Sequence, residues 1–167
     1  MFAVNECVFY ASGGICKITE IRTSPLDGMP ADRQYYVLHS MHDQNCVMYV
    51  PVDSNCVFLR ALITREELEA LVEQIPVIDP IGYDNAKALK NGYQACMSAH
   101  IPTEWIRVLK TVYLRLHDEK NPNRRLSDTE RTTCETAGKY LLTEVSLALG
   151  VTVQQAREYL ACHLQFP

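Results

Sequence analysis

Seven cysteines, at positions 7, 16, 46, 56, 96, 134 and 162, are the most reactive side chains in the sequence, and their spacing restricts what they can do. The number is odd, no CxxC occurs and most sit within apolar runs, so reduced core thiols are expected, not a disulfide framework. Structural zinc needs closely spaced ligand pairs, which are missing. On a strand, His39 and His42 project to opposite faces and make a poor metal pair. No metal or cofactor is expected. Gly13-Gly14 lacks the spacing of a phosphate-cradling loop, and no nucleophile elbow, HExxH or EF-hand loop is present. An enzyme is therefore not expected.

What remains is basic. Arg124 and Arg125 stand immediately before Ser127-Asp128-Thr129-Glu130, a helix start whose orphan N–H groups and positive dipole end also favour an anion such as phosphate. Lys87 and Lys90, three apart, share a helix face. Together such groups grip a nucleic-acid backbone; the alternative is that they are simply solvated. Trp105 falls on an apolar stripe and reads as core, not as a stacking platform.

These side chains must be positioned by two different kinds of structure. Before residue 62 the chain reads as strand. The organising stretch is the hairpin from Arg33 to Val52: Tyr35–Leu38 and Cys46–Val50 are β-rich, and His42-Asp43-Gln44-Asn45 supplies the turn. Pro51 is expected to stop the second run, since it has no N–H for the ladder. Upstream, Glu6–Tyr10 and Ile15–Thr23 are strands joined at Ala11-Ser12-Gly13-Gly14, with Cys16 and Ile18 on one face and Lys17 and Thr19 on the other. Ser24 to Pro30 is a loop, and Cys56–Leu59 is expected as a fifth short strand. Five short strands without intervening helix describe a small, strongly bent sheet or open barrel.

After residue 62 the chain reads as helix. Thr64-Arg65-Glu66-Glu67 and Ser127-Asp128-Thr129-Glu130 are capping boxes. Ile75–Gly82, with Pro76 and Pro80, is the expected domain boundary. Asp84–Met97 is expected to be helical despite Gly92, which costs about 1 kcal/mol relative to alanine. Pro102 opens a helix whose stripe is Trp105, Val108, Leu109, Val112 and Leu116, with Arg107, Lys110 and Thr111 on the reverse. Further helices run to Gly150 and from Thr152, the last with Val153, Ala156 and Leu160 inward. The fold class is α+β: a small sheet over 1–62, a helix and proline-containing linker over 63–82, and a compact bundle of about four helices over 83–167.

The net charge of −4 is uneven: residues 1–83 hold 5 Lys/Arg against 11 Asp/Glu, and residues 84–167 hold 11 against 9. Two modules with different partners are expected. The start of the chain lacks the basic flank and apolar run of a signal peptide, and no stretch approaches membrane-spanning length. A cytoplasmic protein with no membrane partner is expected.

The run MFAVNECVFYASGGICKITEI resembles the "v-G-D-x-V-v-Y-p-x-x-G-v-g-x-I-x-x-I" opening of the CarD/CdnL family of bacterial transcription regulators. YYVL, YVPVD and FLRALITREELEAL are similar to its next segments in the same order. WIRVLKTVYLRL, RRLSDTE and AGKYLLTEVSLALGV resemble its helical half, most nearly in the Firmicutes-type branch. The resemblance implies a Tudor-like N-terminal domain that binds the RNA polymerase β subunit, as does the related module of the transcription-repair coupling factor. It also implies a helical domain that touches promoter DNA just upstream of the minus-ten element, stabilising the open complex without sequence-specific readout. A monomer, associated with the nucleoid through the polymerase, is expected.

Carried onto this chain, the polymerase face is Ile21, Arg22, Ser24, Arg33, Met48 and Tyr49. Ser24 and Tyr49 stand where many members have arginines. The DNA face is Tyr83, Lys87, Lys90, Arg124, Arg125 and Arg131. Here Gly82-Tyr83-Asp84-Asn85 replaces the family's wedge tryptophan, and Leu89 a following arginine. The rival expectation is an adaptor that docks on polymerase while its bundle, having lost DNA, binds another protein.

Overall fold

The structure, a computed structural model, describes every residue except 24, 25, 29, 31, 44, 54–57, 83, 84, 120–124 and 164–167. Its described backbone divides into two compact units, Met1–Leu62 and Ile63–Pro167.

The first unit is an open antiparallel sheet of β1 (Cys7–Tyr10), β2 (Gly14–Thr23), β3 (Gln34–Ser40), β4 (Val47–Pro51) and β5 (Leu59–Ala61), in the order β4-β3-β2-β1-β5. The α+β class and the hairpin hold as expected. The β1–β2 turn uses its two glycines differently. Gly14 has φ +70°, whereas a Cβ on Gly13 would come within 2.6 Å of Met48 Sδ. The fifth strand lies later than Cys56–Leu59: it includes Arg60, while positions 56 and 57 fall outside the described residues.

A bulge sets which side chains of β2 face inward. Ile18 pairs with Leu38 and Glu20 with Val37, so Thr19 is an extra residue, and its hydroxyl donates to the Val37 carbonyl at 3.3 Å. Parity flips there. Cys16, Ile18 and then Ile21 consequently share one face with Val8, Tyr36, Leu38, Met48 and Val50, which form the core cluster of this unit. Phe2 packs on it, with its amide donating to the Tyr36 hydroxyl at 2.9 Å.

The second unit holds α1 (Arg65–Gln74), a 3-10 turn at Ile75–Val77, α2 (Ala86–Ala99), α3 (Pro102–Leu116), α4 (Asp128–Leu149) and α5 (Val153–His163). Both capping boxes form, and Gly150 closes α4 with φ +67°. Trp105 is fully buried, its ring 5.5 Å from that of Tyr140.

Three expectations need correction. Ile75–Gly82 is not a linker between bodies. Lys110 Nζ donates to the Ile75 and Pro76 carbonyls, the Ile81 amide to Thr111 Oγ1, and Arg107 Nε to the Asp79 carbonyl, so the segment is fastened to α3. On the reverse face of α3, Lys110 and Thr111 are buried because their polar atoms satisfy that segment's backbone, while Leu116 and Val153, expected inward, are exposed. Finally, the six described cysteines are free thiols, but only Cys16 and Cys96 are buried; Cys162 lies exposed on the last turn of α5.

Candidate functional site

Among the described residues β4 is an edge of the sheet, with β3 on one side only. The hydrogen-bond phase follows from its ends. Val52 donates to the Gln34 carbonyl at 2.9 Å and Ser40 to the Cys46 carbonyl at 3.1 Å, so Met48 and Val50 point their backbone groups at β3. The N–H groups of Val47 and Tyr49 consequently face outward. Pro51 sits in the same outward phase, where a missing N–H breaks no ladder bond, and this is why β4 continues through it instead of stopping before it.

The expected polymerase residues divide between the faces of this edge. Ile21 and Met48 pack against the core cluster. Tyr49 lies opposite Val37, on the other face, in a cross-strand row with Glu20; Arg22, Tyr35 and Pro51 form the next row. Arg22 is ion-paired with Glu20, and Arg33 with Asp53 at 3.2 Å. Both pairs are exposed, so each is worth at most about 1 kcal/mol and can be exchanged for a partner's carboxylate. Ser24 lies outside the described residues. The outward N–H row was the missed feature; its signal was Pro51, which marks an edge strand when it falls inside a β-run.

In the helical unit, Asn85 caps α2 by accepting from the Ala88 amide, and Lys87 and Lys90 are exposed on that helix. Arg125 is exposed just before α4, and Arg131 is exposed and ion-paired with Asp128 at 2.6 Å. Tyr83 and Arg124 lie outside the described residues. Lys90 and the first turn of α4 border a common cavity of ≈ 820 Å³, whose wall includes Arg115. Sequence reasoning missed what fixes its rim. Glu130 accepts from the Ser127 amide and hydroxyl through Oε2, each at 2.9 Å, and holds buried Arg115 of α3 through Oε1. One carboxylate thus completes the capping box and ties α3 to the start of α4.

Burial pushes the thiols of Cys16 and Cys96 up to about 12, with Glu104 raising Cys96 further as a hydrogen-bond partner. Neither is a nucleophile at neutral pH. Among the described residues, no group of three or more His, Cys, Asp or Glu side chains is placed to hold a metal ion, and no helix is long and apolar enough to cross a membrane.

No curated protein matches the chain. Residues 2–63 match the family described as the CarD-like/TRCF RID domain, a family of modules that interact with RNA polymerase, and the matched residues cover the β-sheet unit. Over these residues the N-terminal unit is similar to CarD-like modules, and the match supports a transcription-associated, protein-interacting role.

Proposed function

We propose that this protein is a regulator of transcription initiation that docks on the β subunit of RNA polymerase through the β4 edge. The observation that carries the reading is the family match over residues 2–63, the unit that owns this open edge. The outward N–H groups of Val47 and Tyr49 offer main-chain pairing to a strand of the partner, with Arg22, Arg33 and Tyr49 supplying contacts beside it. Ser24 is counted among these contacts in this reading, and Ile21 and Met48 shape the surface from within.

The second half of the proposal is that the helical unit contacts promoter DNA through its backbone and changes the lifetime of the open complex. Lys87, Lys90, Arg125 and Arg131, with Arg124, neutralise phosphates without reading bases, and Tyr83 takes the place of a wedge residue. Residues 1–62 are then the docking domain, and the helical unit that follows contacts DNA through residues 83–167, in a monomeric cytoplasmic protein held at the nucleoid by polymerase. Promoter open-complex lifetime with the cognate polymerase tests this. Wild type should prolong it, and Arg125→Glu/Arg131→Glu should abolish the effect and flatten the salt dependence by about 0.9 per lost phosphate contact. An unchanged lifetime with polymerase bound contradicts the DNA half.

A second reading, a polymerase-docked adaptor whose helical unit holds another protein, is favoured by one observation: the cavity beside Lys90 has a mainly apolar wall on α2.

A further inference from the structure

The DNA reading makes no use of that cavity. Its α2 wall is built from Ala86, Leu89, Tyr93 and Met97, which recur at three- and four-residue spacing and so form one stripe. At 1.5 Å per residue the stripe runs for about 16 Å, roughly three helical turns. The facing wall is the first two turns of α4, with Arg115 of α3 joining them. Its lining residues Asn85, Ala86, Lys90, Gln94, Ser127 and Thr129 are exposed, whereas a small-molecule site buries about 70–90% of its ligand. An elongated, one-sided ligand fits it better.

Charge narrows the choice. α2 carries Lys87 and Lys90 and no Asp or Glu. Among the described residues the ion pairs of this unit, Arg65–Glu69, Arg107–Glu104, Arg115–Glu130 and Arg131–Asp128, leave both lysines out. Glu130, the acidic group of the opposite wall, is committed to Arg115 and Ser127. The trough is therefore apolar along its length and cationic on its α2 side. Leu89 and Tyr93, 6% and 3% exposed, form the floor of the trough, while Ala86 is exposed and Met97 half-buried at its surface; duplex DNA offers phosphate and sugar and no apolar group to seat there.

We propose that this trough receives an acidic amphipathic helix of a partner protein, with the helix's apolar ridge on the α2 stripe and its carboxylates toward Lys87 and Lys90. This rests on the adaptor reading and names the partner's chemistry. The probe is a labelled helical peptide with leucines at i, i+3, i+4 and i+7 flanked by glutamates, compared with a twin carrying lysine at every glutamate; both are titrated by fluorescence anisotropy into the full chain. The acidic peptide should bind at least tenfold more tightly than its twin. Lys87→Glu/Lys90→Glu should remove or reverse that preference. Gln94→Trp, an exposed position on the trough wall, should weaken the acidic peptide at least tenfold without altering the melting curve. No binding of the acidic peptide at about 1 mM, equal binding of the twin, or binding that ignores both variants overturns the proposal. Polymerase β-lobe binding is scored on the same samples: lost lobe binding with intact, charge-selective peptide binding refutes the docking reading and supports the trough.

Discussion

Gly92 shows how a single hydrogen in place of a methyl group holds the helical unit together. A Cβ built there would meet Ile81 Cγ2 at 2.2 Å, and Ile81 is buried at the end of the segment fastened to α3. In an exposed helix Gly→Ala gains about 1 kcal/mol. At this site Gly92→Ala should instead cost about 1–3 kcal/mol, because Ile81 must move out of a packed position, and thermal melting of the full chain reads the sign. Glu130→Ala should cost about 3–5 kcal/mol, since it takes a carboxylate partner from the buried Arg115 guanidinium as well as removing a cap. The buried thiols set an alkaline limit. With folded pKa values of about 12 against an ordinary value of 9.0, the folded state keeps protons that the unfolded state has released, so stability falls as pH rises from about 9 to 12. Thiol labelling at neutral pH should modify Cys162 first and leave Cys16 and Cys96 protected.

At the scale of elements, the β4 edge carries the prediction. Val47→Pro removes an outward N–H while leaving the β3 ladder its bonds, so melting should shift little and affinity for the polymerase β lobe should fall about tenfold. Elements were also where the sequence was most legible. Both capping boxes, the hairpin and the Trp105 stripe are short-range patterns, decided by residues within a few positions of one another. The bulge at Thr19, the burial of Lys110 and the Arg115–Glu130 clamp are long-range facts. A buried lysine is indistinguishable in sequence from a solvated one until the carbonyls of Ile75 and Pro76 are seen beside it. Pro76 and Pro80 suggested a linker because proline ends helices, but ending a helix does not free the segment that follows. Of the candidate sites, the basic residues were legible one by one; that Lys90 borders a trough shared with the start of α4 was not.

The whole molecule combines a unit with an open sheet edge and a helical unit with exposed cations and an apolar trough. The acidic balance of residues 1–83 and the basic balance of 84–167 accord with separate partners for the two. If docking and helical contact are separate events, edge variants should weaken polymerase binding and lifetime effects together. Arg125→Glu/Arg131→Glu should abolish only the latter. The central claim is docking through β4, and its most direct measurement is the affinity of the full chain for the isolated β lobe of its polymerase, wild type against Val47→Pro. The account predicts saturable binding by the wild type and roughly tenfold weaker binding by the variant with its fold intact. No binding by the wild type, or equal binding by both, would contradict it.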